Sequence, residues 1–183
     1  MIYTISQLAT VKRGGSPRPI TEYLTDNGLP WLKISDFQFG DRVVTKVHEY
    51  IIPEGLSKTK LVKKGTLVVT NSASPGIPFF LGIDMCLHDG FLYLENLSSK
   101  VNPLYLYYFL MQQRDYLKSQ GNGSIFVNLK KEILERTKID LPSLEIQNHI
   151  VNTISSLLLK SLSLFLLVLF PPSLIQITQQ RFF

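Results

Sequence analysis

Few residues in this chain have the types and spacing that chemistry requires. Its three histidines, His48, His88 and His149, are scattered, and Cys86 is the single cysteine. Neither a zinc set nor an internal disulfide follows from such spacing, and no structural metal is expected. His88 beside Asp89 has the composition of a base and its orienting carboxylate. Neighbours on a strand point to opposite faces, however, and in an Asp-Gly turn these side chains serve backbone amides. Cys86 lies in an apolar run and reads as a buried small side chain. Glycine-rich nucleotide loops, His-Glu-x-x-His and Gly-x-Ser-x-Gly are all absent from the sequence. No catalytic residue, metal or cofactor is therefore expected.

Positive charge is what the sequence does supply. Nineteen Lys and Arg against 14 Asp and Glu give +5 over 183 residues, with a pI near 9.3. Residues 1 to 64 hold ten of the cations against six acids. An anionic partner, nucleic acid or an anionic membrane surface, is allowed by this balance and not demanded by it. The same charges suit a plain solvated face unless the fold brings them together. The lone cysteine and an N-terminus without a basic segment ahead of an apolar run lead to the expectation of a cytoplasmic protein.

The elements that must position these groups are mostly strands. At 45% apolar and 11% aromatic the chain has the material for a real core, in one domain with or without an appendage. Residues 3 to 11 make a short helix, or a helix followed by a strand, capped by Thr4 or Ser6. GGSPRP at 14 to 19 stops regular structure and forms a shaped basic loop. In PWLKISDF, Trp31, Lys33 and Ser35 alternate with Leu32, Ile34 and Asp36, which predicts a strand with one apolar face. RVVTKVHEYI at 42 to 51 has strong strand propensity. LVVT runs into NSASPG, placing polar side chains at a strand end, and FFLGIDMCLHDGFLYLE is again rich in strand formers. An α/β (α+β) class with a mixed or antiparallel sheet follows.

Helices belong to the second half. Asn102 and Pro103 make an N-cap and first-turn pair for a helix ending near Gly121, with Leu106, Phe109, Leu110, Tyr116 and Leu117 on one face. Asn102-Pro103-Leu104-Tyr105 resembles the Asn-Pro-Pro-Tyr motif of amino-methyltransferases, but Leu104 replaces the second proline, and a helix start is explanation enough. Asn128 is expected to cap a second helix over 129 to 136, with Leu129, Ile133 and Leu134 inward. A third begins at Pro142 and Ser143, with Ile146, Ile150, Ile154, Leu157 and Leu158 in one stripe suited to another helix. Beyond 160 the chain becomes apolar, but Lys160 and four serines interrupt the run from Ile154 to Pro171. It falls short of the roughly 20 residues of a bilayer helix. The tail reads as interface-seeking or as packed on the third helix or a partner, and a membrane span is not expected.

Taken in order, ISQLATVKRGGSPRP, NGLPWLKISDF, GLSKTKLVKKGTLVVTNSASPG, GNGSIFVNLKKEIL and IDLPSLEIQNHIVNTI resemble a target-recognition domain of the specificity subunit of type I restriction-modification enzymes. The resemblance covers residues 1 to about 158 and lies in the order and spacing of the pieces. It implies a subunit that reads a split DNA sequence with two such domains, held apart by long antiparallel helices that carry the methyltransferase subunits, with no catalytic centre. Gly15 to Pro19 and Trp31 to Asp36 fall on the family's fold-defining stretch; Pro142, Glu145, Gln147 and Ile150 fall on the start of its spacer helix. Base-reading residues differ between specificities and do not carry over. The chain departs from the pattern in having one recognition domain and a spacer helix cut after about Lys160, as a frameshifted or degenerate gene product would.

The organisation expected is a DNA target-recognition domain over 1–142, a truncated spacer helix over 143–160 and an atypical apolar tail over 161–183. Lys12, Arg13, Arg18, Lys58, Lys60, Lys63 and Lys64 flank Gly/Pro-rich loops and are the candidates for phosphate contact. Asn71, Ser72, Ser74, Asn122 and Ser124 are candidates for base-edge or phosphate contact. Ile146, Ile150, Ile154, Leu157 and Leu158 are the candidate interface. Expected partners are double-stranded DNA, the methyltransferase and restriction subunits of a type I system, and a second copy or a full-length specificity subunit. The alternative is a degenerate interaction protein that docks to intact specificity or methyltransferase subunits without reading DNA.

Overall fold

The computed structural model describes residues 1–120 and 128–169, with backbone alone for 162–169. Two compact units divide the chain, Met1–Pro142 and Ser143–Phe183. In the first, β1 (Ile2–Thr4) leads into the one-turn helix α1 (Ile5–Leu8) and β2 (Thr10–Arg13). Thr4 caps α1, its N–H donating to Gln7 Oε1 at 2.8 Å, so the helix-then-strand alternative is the one that forms. There follow β3 (Leu24–Thr25), β4 (Leu29–Leu32), β5 (Val43–Val44), β6 (Glu49–Ile51), β7 (Leu61–Val62), β8 (Leu67–Thr70), β9 (Pro78–Leu81), β10 (Met85–Leu87) and β11 (Phe91–Glu95). Helices α2 (Pro103–Gln112), α3 (Arg114–Ser119) and α4 (Lys131–Arg136) precede the last strand, β12 (Lys138–Asp140). The second unit contains α5 (Leu144–Leu169).

Two five-stranded sheets run in the orders β3-β6-β4-β10-β7 and β2-β11-β8-β9-β5, while β1 pairs with β12. Pairings β4–β10 and β5–β9 are parallel and the others antiparallel, so the fold is the mixed α/β class read from the sequence. Period-2 alternation sorts the strand residues into layers. Leu67 and Val69 of β8 and Leu92 and Leu94 of β11 face a core shared with Ile5, Leu8, Leu106, Leu110, Leu117 and Leu134 of the helices. Val68, Phe91 and Tyr93 point the other way, into a second core with Leu32, Phe79, Met85 and Leu87. Trp31, Ile51 and Cys86 form a third.

Three local expectations change. The strand at Trp31 has no polar face: Trp31 is 3% exposed and Leu32 0%, because β4 is the central strand of its sheet and carries a core on either side. After Leu32 the chain turns into a 3₁₀ helix over Ile34–Asp36. The strand propensity of RVVTKVHEYI is divided between β5 and β6, which join different sheets. The helix from Asn102 ends at Gln113, whose φ of −81° and ψ of 0° close α2 and open α3; the register restarts, and Tyr116 leaves the apolar face at 50% exposure. Asn102 does cap α2, accepting from Leu104 N–H at 2.8 Å and Tyr105 N–H at 3.2 Å. Asn128 is no cap, since α4 begins later, with Lys130 at the N-cap.

The third helix is longer than the sequence pattern suggested, 26 residues to Leu169. Leucine is a strong helix former and neither Gly nor Pro interrupts before Pro171, so serines alone do not end it. No helix among the described residues is long and apolar enough to cross a membrane.

Candidate nucleic-acid interface

The turn His88-Asp89-Gly90 between β10 and β11 is where distant segments meet. Gly14 N–H donates to Phe91 O at 3.0 Å and Gly15 N–H to Leu87 O at 2.8 Å, bringing the GGSPRP loop onto the turn. A Cβ at Gly14 would lie 2.2 Å from His88 O, and one at Gly15 2.1 Å from Lys58 O. Backbone approach this close requires glycine at both positions. Around Asp89, Arg13 Nε donates to its carbonyl at 2.7 Å, Asn71 Nδ2 to the same carbonyl at 3.2 Å, and Ser16 Oγ to Oδ1 at 2.9 Å. His88 Nδ1 accepts from Gly90 N–H at 2.9 Å, as the turn reading anticipated, so the neutral ring carries its proton on Nε2. Burial holds the His88 pKa below its ordinary value; Asp89 opposes the shift, and Arg18, Arg13 and Lys33 add to it.

The sequence candidates fall into two groups. Arg13, Arg18, Lys58, Asn71, Ser72 and Ser74 lie about this turn. Arg18 lines a cleft with Ser16, Trp31 and His88, and the Lys58 backbone abuts Gly15. A Cβ at Gly90 would come 2.8 Å from Ser72 Oγ. Exposed Lys60 follows Thr59, whose hydroxyl donates to Leu87 O at 3.3 Å. Lys12, Lys63 and Lys64 gather toward Glu95 and Asp84, with Lys63, Lys64 and Glu95 lining one cleft. There Lys12 Nζ pairs with Glu95 at 2.6 Å and Lys63 Nζ with Asp84 at 2.8 Å, while Lys64 N–H donates to Asp84 Oδ1 at 2.8 Å. These bonds, that of Lys63 foremost, hold the Asp84 carboxyl below its usual range.

Asn71 is 3% exposed, with Nδ2 donating to Asp89 O at 3.2 Å and Oδ1 buried without a partner among the described residues. Its carbonyl accepts from Leu129 N–H at 2.7 Å, tying β8 to the segment before α4. Asn122 and Ser124 lie outside the described residues. Trp31 is core, with its Nε1 buried and without a partner among the described residues. In α5, Ile146, Leu157 and Leu158 are exposed and Ile150 and Ile154 half-buried. Cys86 is fully buried, which pushes its thiol up to about 11 and keeps it unreactive. Among the described residues no cluster of three His, Cys, Asp or Glu groups is disposed for a metal.

Beside the turn lies a second cleft, lined by Ile34, Phe37, Phe39, Ser72, Ser74 and Arg114, among others. The Arg114 guanidinium stands 4.6 Å from the centroid of the exposed Phe39 ring. Neither residue was among the sequence candidates: Arg114 reads as one position of a helix, and only the fold brings Phe39 to it.

Residues 1–163 match the family model for the type I restriction modification DNA specificity domain. Among curated proteins, the type I restriction enzyme MjaVIII specificity subunit of Methanocaldococcus jannaschii is 31% identical over 99 residues, 54% of this chain and 23% of its own. The MjaIX specificity subunit of the same organism is 26% identical over 156 residues, 82% of this chain and 36% of its own. The chain thus spans about a quarter to a third of the length of these relatives. Among solved structures, a chain from a study of assembly and conformational transition of the type I R-M system aligns with a TM-score of 0.74 at 20% identity, covering 90% of this chain and 39% of that one. The HsdS subunit from Thermoanaerobacter tengcongensis aligns at 0.72 and 20% identity, covering 90% and 38%. With the paired sheets, the helical C-terminal unit and a model match over nearly the whole described chain, the protein belongs to the family of type I restriction modification DNA specificity domains.

Proposed function

We propose that this chain is a non-catalytic DNA-recognition module of a type I restriction-modification system, directing methyltransferase and restriction subunits to a target sequence. Residues 1–142 read duplex DNA. The observation that carries this reading is the gathering of Arg13, Arg18, Lys58 and the Ser72–Ser74 loop around one turn, in a member of a DNA specificity family. Asp89 accepts from Arg13, Ser16 and Asn71 at once, so the loops are fixed before any ligand arrives, which lowers the ordering cost of binding. Arg18, Lys58 and Lys60 form no ion pair among the described residues and are the strongest candidates for phosphate contact. Lys12 and Lys63 are already paired with carboxylates and contribute less.

The second unit, α5, serves as the assembly element. It offers Ile146, Leu157 and Leu158 to a helix of another specificity chain, a second copy or a full-length subunit, and to the methyltransferase. Titration of the chain with duplex DNA at several salt concentrations tests the reading function. Salt-independent binding, or none, with intact association through α5, would leave a docking protein that does not read DNA.

A further inference from the structure

We propose that Arg114 reads a guanine edge in the major groove, with the Phe39 ring holding its guanidinium and Ser72 and Ser74 lining the same cleft. The inference rests on the DNA-reading role proposed above and names a determinant of its specificity. The Arg114 side chain makes no hydrogen bond or ion pair among the described residues, and its Nε is covered and unpartnered. A covered donor without a partner is costly, so its retention calls for an explanation. Arg13, Lys12, Lys33 and Lys63, by contrast, each face a carboxylate. No acid is among the described residues that line the Arg114 cleft. Phe39, 64% exposed, is a large ring left in water whose visible contact is the guanidinium 4.6 Å away.

A cation whose purpose was phosphate attraction needs no such support, because a point charge on a flexible stem suffices. A planar fork fixed against a ring is what bidentate pairing to guanine O6 and N7 requires. The cleft volume of about 130 Å³ is well below the roughly 300–1,000 Å³ of pockets that engulf a ligand. It therefore takes the edge of a base and not a whole nucleotide. Its floor is shaped in advance: Ala73 stands at φ 59°, Thr70 Oγ1 donates to Ser74 O at 2.5 Å, and Ser74 N–H donates to Ser72 O at 2.7 Å.

The test is selection of bound sequences from a randomised duplex pool by the full chain and its Arg114→Lys, Arg114→Gln and Phe39→Ala variants. The wild type should enrich a sequence with a G·C pair that becomes degenerate in both Arg114 variants. Affinity for the selected duplex should fall about 10- to 100-fold, with binding to unselected DNA changed less than about twofold. Phe39→Ala, whose ring is exposed, should relax the same pair to a smaller degree, and it carries the test together with Arg114→Lys if Arg114→Gln fails to fold. An Arg114→Lys variant that keeps the wild-type consensus, or equal losses on selected and unselected DNA, overturns the assignment while leaving DNA reading intact. A wild type that enriches no sequence overturns DNA reading and this inference with it.

Discussion

At the scale of single residues, Trp31 and His88 connect the core to the candidate interface. Trp31 packs with Ile51 and Cys86, and its ring lies 5.6 Å from that of His88. Replacing it with Ala should cost about 3–5 kcal/mol, as for other buried aromatic truncations, and a urea unfolding curve measures the loss. A stable Trp31→Ala protein that had lost only DNA binding would contradict its place in the core. His88 makes stability depend on pH. Its folded pKa is lowered from 6.5, chiefly by burial, and protonation at Nδ1 would also break the bond from Gly90 N–H. Its contribution is therefore complete above the unfolded value and is lost as pH falls through the folded one. Unfolding free energy should drop as pH falls below about 6.5, and His88→Asn should flatten that segment of the curve. An identical slope in the variant would assign the effect to other groups.

At the scale of elements, α5 leaves a run of apolar side chains in water. Ile146 is 51% exposed, Leu157 61%, Leu158 54% and Leu159 62%. An isolated helix draws most of its stability from burying such a face, which supports association as its role. The variant Leu157→Asp/Leu158→Asp alters exposed positions, so Met1–Pro142 should fold unchanged while self-association weakens by several kcal/mol. Sedimentation of the two proteins checks this. Wild-type chain that stays monomeric at about 100 μM, alone and with a methyltransferase subunit, would remove the assembly role.

At the scale of the whole molecule, charge placement sets the salt response. Of the cations concentrated in residues 1 to 64, Arg18, Lys58 and Lys60 beside Arg13 form no ion pair among the described residues, while carboxylates partner Lys12, Lys33 and Lys63. If about five phosphates are contacted, log affinity should fall against log salt with a slope of roughly 4 to 5. A slope near zero would show that the net charge has no polyanion partner. Arg18→Ala and Lys58→Ala should each lower the slope by about 1 and weaken all duplexes alike. That uniform effect separates phosphate contacts from the sequence-dependent loss expected at Arg114.

The sequence by itself determined the mixed-sheet class, the cap at Asn102, the burial of Cys86 and the start of α5, because each is written in local residue order: strand propensity, capping chemistry, helical spacing; the family was legible through the resemblance of its ordered segments. It also indicated which loops carry charge. What it did not determine was which charges meet. Lys12 and Arg13 are adjacent in sequence, yet one pairs with Glu95 and the other with Asp89, because alternate strand residues face opposite sides. The helix from Asn102 was legible, but its break at Gln113 was not, since no Gly or Pro marks it. Nor was the stacking of Arg114 on Phe39, which depends on two elements far apart in the chain closing on one cleft. Pairings of that kind arise from sheet order and close backbone approach, as at Gly14 and Gly15, and these are properties of the packed chain that no local segment encodes.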